Sequence, residues 1–175
     1  ISIANMPVGV LTDAEKAGLL FMREEEKLAH DVYVTLREKW ALPVFQNIPN
    51  SEQTHTDAIK LLLDRYGLTD PAAGKAVGAF ADESLQKLYD QLVEKGNQSL
   101  ANALTVGATI EDLDIVDLQT RLAQTDNTDI QLVYENLMKG SPCTDACCAN
   151  FSCLLRSSMT SSSSAKPIAS QRLAS

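Results

Sequence analysis

The chain has 175 residues, a mass of 19.0 kDa and a net charge of −8 at neutral pH. Apolar residues make up 45% of it and charged residues 22%, which is ordinary for a folded globular domain. No apolar run reaches the length of a membrane-spanning helix, and the acidic balance argues against a nucleic-acid partner. All four cysteines follow residue 140, so the body of the chain fits any redox compartment and the localisation stays open.

Helical periodicity dominates the first half of the chain. A capping box that starts at Thr12 predicts a first helix running to about Trp40. Two prolines mark the approach to a second helix, which ends at Gly67. Residues 68–81 are rich in Ala and Gly and are predicted to form a connection.

The second half continues the helical pattern. Asp82 caps a shorter helix that Gly96 ends, and Ser99 begins a long helix to about Gln124. After a turn, a last helix ends near Gly140. Four substantial helices and one short one, joined largely by short turns, predict an all-α antiparallel four-helix bundle with one extra helix.

Residues 141–175 differ from the rest of the chain in composition. They hold ten serines, all four cysteines and only four charged residues. We therefore predict two units, a helical bundle over residues 1–140 and a partly disordered Ser/Cys-rich tail over residues 141–175. The cysteines lack the second pair or nearby His that structural zinc normally requires, so a zinc site in the tail is disfavoured.

The second helix carries Glu52 and His55 on its apolar face. At about 100° per residue, the apolar residues within roughly 40° of Glu52 are Phe45, Ile48, Ile59, Leu63 and Tyr66. Burial of a lone carboxylate or imidazole is costly unless the group is paired or binds a metal. Glu-x-x-His pointing inward from a helix is the ligand unit of di-iron carboxylate bundles, so this motif indicates a metal site.

The first helix contains three consecutive glutamates, of which Glu25 is centred on an apolar stripe. Its neighbours Glu24 and Glu26 lie about 100° to either side, so we interpret them as flanking groups. Glu24 in particular is expected to face solvent, since runs of charge usually form solvated faces.

The long helix repeats the arrangement. Glu111 is centred on an apolar stripe and Asp114 lies about 60° from it, so this helix offers Glu-x-x-Asp where the second offers Glu-x-x-His. A carboxylate can replace imidazole as a ligand for hard cations. Asp117 is expected to be solvated, and Glu135 on the last helix is expected to point outward.

Acidic side chains from three helices are thus expected to meet in one core. Several buried carboxylates without counter-charge would be strongly destabilising, whereas a pair of metal ions would neutralise them. The predicted metal ligands are the five residues Glu25, Glu52, His55, Glu111 and Asp114. Protonated carboxyl pairs or arginine partners are the alternatives that need no metal.

Several stretches of the chain, in the same order, resemble one bacterial and archaeal family, the domain of unknown function 2202, which is assigned to the ferritin-like superfamily. They are residues 22–29, 47–48, 51–55, 107–112 and 134–137, and the resemblance covers about residues 10–140. It implies a ferritin-like bundle with two metal ions, expected to be iron, with manganese or zinc as alternatives. The implied roles are oxidase, peroxide-reducing or iron-handling chemistry.

By the same resemblance, Glu52 and Glu111 would bridge or chelate the metals, and Glu25 and His55 would bind terminally. Asp114 would take the place of a second His. Relatives carry an inward His beyond Gly140, whereas this chain continues Ser-Pro-Cys-Thr. The last helix is therefore expected to be shortened and the site to lack a ligand, and our hypothesis for residues after 141 is a shifted reading frame.

The shortened helix gives the chain a second interpretation. If the site binds no metal, the protein is a helical structural or interaction module. An apolar strip exposed beside the shortened helix would then favour a homodimer.

Overall fold

The computed structural model describes residues 2–140, apart from the side chains of Asn47 and Asn50. Over this range the chain is all-helical, with no strand, as predicted. Its five helices are α1 (Asp13–Lys39), α2 (Pro43–Arg65), α3 (Glu83–Gly96), α4 (Leu100–Leu122) and α5 (Thr128–Gly140). The tail predicted at 141–175, with its cysteines, lies outside the described residues. Among the described helices, none combines the length and apolar character needed to cross a membrane.

The helices begin where the capping residues predict. The side chains of Thr12, Asp82 and Ser99 each accept a hydrogen bond from a backbone N–H in the first turn of α1, α3 and α4. Gly67 follows the end of α2 with a φ of +66°, a left-handed conformation that suits glycine. Local sequence therefore fixes most of the helix boundaries.

Helices α1 and α2 pack against each other as an antiparallel pair. Tyr33 near the end of α1 lies against Phe45 at the start of α2, with ring centroids 6.2 Å apart. Further back along α1, Glu26 reaches His55 on α2. The sequence alone did not predict where α2 begins. In the structure α2 begins at Pro43, and Pro49 lies inside the helix.

The connection after α2 covers the polar side of α1. Arg23 donates two hydrogen bonds to the Asp70 carboxylate, and Lys27 donates one to the carbonyl of Ala76 at 2.9 Å. Because α1 also packs against α2, α3 and α4, every residue over 22–29 is buried. The middle of α1 therefore has no solvent-facing side.

The core consists of two apolar clusters with an acidic layer between them. The first cluster includes Leu28 to Leu36 of α1 with parts of α2, α3 and α4, and the second includes Leu19, Met22 and most of the buried residues of α5. The acids of the layer are Glu25, Glu26, Glu52, Glu111 and Asp114, which lie along the chain between members of the two clusters. The last residue described in α5, Gly140, lies beside this layer.

Candidate metal centre

Helices α1 and α2 bring together one group of potential metal ligands. Glu26, Glu52 and His55 each offer a ligand atom, and these three atoms lie within 4.8 Å of one another. Nδ1 of His55 is 3.5 Å from Oε2 of Glu26 and 3.8 Å from Oε2 of Glu52. All three side chains are at most 7% exposed, so the group is closed to bulk water.

Four polar atoms of this group lack hydrogen bonds. Neither oxygen of Glu26 has a hydrogen-bond partner, nor does Oε1 of Glu52 or Nδ1 of His55. The guanidinium of Arg23, whose charge acts on Glu26, is held by Asp70 and by the carbonyl of Thr56. Unsatisfied buried groups of this kind cost about 1–3 kcal/mol each, and more when charged. A bound cation would satisfy them together.

The electrostatic environment favours either a proton or a cation at these acids. Burial, followed by the charge of Glu111, raises the pKa of Glu26 to about 8, while Arg23 opposes the rise. Burial, the charge of Glu111 and the charge of Glu26 raise the pKa of Glu52 to about 9. At neutral pH the two carboxyl groups therefore keep protons unless a metal displaces them.

Glu111 on α4 is the acid whose charge acts most strongly on Glu26 and Glu52. Its Oε1 accepts a hydrogen bond of 3.0 Å from the hydroxyl of Tyr33, which fixes the carboxylate from the side of α1. Burial raises the pKa of Glu111, although the Tyr33 hydrogen bond and the charge of His55 oppose the rise. Because its charge also raises the pKa values of Glu26 and Glu52, Glu111 belongs to the same electrostatic unit.

Glu25 points to another part of the layer. It lines a cavity between α1, α3 and α4, together with Asp114 and apolar side chains. Burial, followed by the charge and hydrogen bonding of Asp117 and the charge of Asp114, raises the pKa of Glu25 well above its usual value. The charge of Asp114 also raises the pKa of Glu52. Asp114 therefore acts on both Glu25 in the cavity and Glu52 in the group around His55.

Of the five residues predicted from sequence, the structure places Glu52 and His55 in the compact group and Glu111 beside it. Glu25 and Asp114 share the adjoining cavity instead. The residue that the sequence analysis missed is Glu26. A signal for it existed, because the apolar residues Leu19, Met22 and Tyr33 form a second stripe within about 40° of Glu26.

Two expectations about flanking acids were wrong, and one is confirmed. Glu24 is buried rather than solvated, because it accepts hydrogen bonds from the backbone N–H groups of Ala81 and Asp82. Asp117 is only partly exposed and interacts with Glu25. Glu135 is exposed, as predicted.

The comparison with family models decides the relationship. An uncharacterised protein domain family, DUF2202, matches residues 15–144 of the chain. The chain belongs to this family. The resemblance inferred from its sequence blocks is thereby confirmed at the level of the family.

Known relatives agree with this assignment. This member of DUF2202 is 55% identical, over 139 residues, to the uncharacterised protein MJ0754 of Methanocaldococcus jannaschii, covering 79% of this chain and 75% of the relative. It is also similar to the crystal structure of hypothetical protein MJ0754 from Methanococcus jannaschii, with a TM-score of 0.82 and 49% identity. That match covers 89% of this chain and 87% of the other.

Proposed function

We propose that this protein binds metal through a ferritin-like di-metal carboxylate centre, expected to hold iron. The observation that carries the proposal is the group of Glu26, Glu52 and His55, which is buried, closely spaced and without hydrogen bonds at four of its ligand atoms. A carboxylate and imidazole set of this kind suits iron, manganese or zinc.

The arrangement of donors supports the ferritin-like interpretation. Helix α2 supplies Glu-x-x-His, and α1 and α4 each supply acids, as in di-iron carboxylate bundles. Glu26, Glu52 and His55 would hold one ion, and Glu111 would extend the donor set towards a second. The second Glu-x-x-His of such bundles has no equivalent in the described residues: α4 offers Glu111, while Asp114 lines the adjoining cavity.

The described cavities are too small for an organic substrate. Each of the two pockets has room for about one water molecule, and neither is lined by Glu26, Glu52 or His55. A bound iron pair would supply electrons to a small oxidant such as dioxygen or a peroxide. The chain's own residues would hold the ions and exclude water.

Metal analysis of protein purified without chelator tests this proposal. We expect about two irons per chain and a higher melting temperature after Fe(II) is added to the metal-free protein. His55→Ala should remove the nitrogen-ligand features of a bound Co²⁺ probe, whereas Glu135→Gln, at an exposed position, should not. Metal-free protein whose melting temperature does not respond to Fe(II) or Co²⁺ would contradict the proposal.

A second function has one observation in its favour. The raised pKa values of Glu26 and Glu52 mean that both carboxyl groups can be protonated, and hence neutral, at pH 7. In that case the protein is a metal-free helical structural or interaction module, with a homodimer contact along α5. The same metal analysis separates the two functions, because the module should remain metal-free and should associate in sedimentation experiments.

A further inference from the structure

The cavity between α1, α3 and α4 is apolar except for two acids. Its acidic members are Glu25 and Asp114, and its other lining residues are Leu28, Ala29, Leu88, Ile110 and Leu113. It has room for about one water molecule. Two carboxyl groups therefore face a space the size of a single ion or water, with hydrocarbon on the remaining sides.

Glu25 is the less well satisfied of the two acids. The residue is 4% exposed, and its two oxygens receive no hydrogen bond from any N–H or hydroxyl group of the described residues. The charge that acts most strongly on Glu25 is that of Asp117, another carboxyl group. The two can share a hydrogen bond only if one of them is protonated. A buried carboxylate in such surroundings is stabilised by a cation that enters the cavity.

This cavity is distinct from the group around His55. Consecutive residues on a helix point about 100° apart, and Glu25 accordingly faces α4 while Glu26 faces α2. The donors also differ, because the cavity offers only carboxylate oxygens and no nitrogen or sulfur ligand. Oxygen-only sites favour hard cations such as Mg²⁺, Ca²⁺ and Mn²⁺.

We propose that Glu25 and Asp114 form a second, separate cation site, which takes one hard divalent cation in the cavity between α1, α3 and α4. The two carboxylate charges balance the charge of the ion. Asp117 is partly exposed and interacts with Glu25, so it provides a third acid beside the cavity. The site goes beyond the proposed function, because it uses none of the three residues Glu26, Glu52 and His55.

Manganese titration followed by electron paramagnetic resonance tests the second site. In the Glu26→Gln variant, which weakens binding at the first centre, we expect about one tightly bound Mn²⁺ per chain. Adding Glu25→Gln should weaken this binding by about tenfold or more. Glu94→Gln, an exposed position on α3, is the matched control and should leave the binding unchanged.

A second variant guards against misfolding as the cause of lost binding. Asp114→Asn should give the same loss as Glu25→Gln, and both variants should keep the helical circular-dichroism spectrum of the parent. Mn²⁺ binding by Glu25→Gln equal to that of the Glu94→Gln control would overturn the proposal. Loss of the Co²⁺ nitrogen-ligand signal in Glu25→Gln would also overturn it, because the two groups would then be one site.

The outcome is distinguishable from failure of the proposed function. If the parent shows no Co²⁺ signal from His55 but still binds Mn²⁺ through Glu25, the first centre fails and the second site stands. If the parent shows the Co²⁺ signal from His55 but binds no Mn²⁺ through Glu25, the first centre stands and the second site fails.

Discussion

Nδ1 of His55 on α2 lies 3.5 Å from Oε2 of Glu26 on α1, inside the acidic layer between the two apolar clusters. A direct hydrogen bond is usually shorter than 3.2 Å, so this contact is too long to satisfy either atom. The gap is compatible with an ion that both atoms ligate at about 2 Å. This relationship joins α1 and α2, which pack most extensively among the described helices, at the proposed metal centre.

The first prediction concerns adjacent glutamates on α1. Glu26→Gln should lower metal affinity by about tenfold or more, because it replaces a ligand oxygen charge with a neutral amide. Glu24→Gln is the matched control: it is a buried neighbour, but it binds the backbone of Ala81 and Asp82 instead of facing the centre. Isothermal titration with Co²⁺ measures both variants. Equal affinities in the two variants would remove Glu26 from the centre.

The second prediction uses the end of α5. A β-carbon added to Gly140 would lie 2.9 Å from Nε2 of His55, closer than two such atoms normally approach. Gly140→Ala should therefore displace the imidazole and weaken metal binding without removing any ligand. Lys139→Ala, at an exposed position, is the control.

The Co²⁺ absorption spectrum measures this displacement. We expect a shifted spectrum and weaker binding for Gly140→Ala alone. A spectrum identical to that of Lys139→Ala would show that His55 does not take part in binding, or that it moves freely.

The third prediction tests how Glu111 is positioned. Tyr33→Phe removes the hydrogen bond to Glu111 and should cost about 1 kcal/mol of unfolding free energy. It should also raise the pKa of Glu111, because the hydroxyl stabilises the carboxylate. Tyr66→Phe removes a comparable hydrogen bond, to Asp129, away from the centre.

Denaturant unfolding and metal titration separate the two tyrosine variants. Both should lose stability, but only Tyr33→Phe should lose metal affinity. An unchanged affinity in Tyr33→Phe would mean that Glu111 needs no positioning from α1, or that it is not a ligand.

The fourth prediction concerns the pH dependence of the metal-free protein. Glu26 and Glu52 have raised pKa values of about 8 and about 9, so the native state binds more protons than the unfolded state between about pH 5 and pH 9. The unfolding free energy should therefore fall as pH rises through this range, on the order of 1 kcal/mol per pH unit for each group. Glu52→Gln should flatten the curve.

Chelator-treated protein, unfolded with urea at several pH values, provides this measurement. A stability that rises with pH between 5 and 9 would contradict the assignment of raised pKa values. Metal-loaded protein should show the weaker dependence expected when cations replace the protons.

Much of the fold follows from local signals in the sequence. Capping residues such as Thr12, Asp82 and Ser99 set helix starts, and Gly67 sets an end, because each satisfies backbone geometry within one turn. Helical periodicity also identified Glu52 and His55, since α2 has one dominant apolar face. These properties need no knowledge of which helices are neighbours.

Periodicity could not predict which glutamates of α1 are buried. The prediction from an apolar stripe assumes that a helix has one buried side, whereas α1 contacts three helices and the connection after α2. Glu24, Glu25 and Glu26 are consequently all buried, each against a different partner. Which of them joins His55 depends on the packing of α2, and this is a tertiary property that periodicity in α1 alone does not contain.

The most direct test of the metal centre is anomalous diffraction at the iron edge from crystals of protein purified without chelator. We predict an anomalous peak about 2 Å from ligand atoms of Glu26, Glu52 and His55. The absence of a peak at that position in crystals grown with excess Fe(II), with the three side chains unmoved, would contradict the existence of the centre.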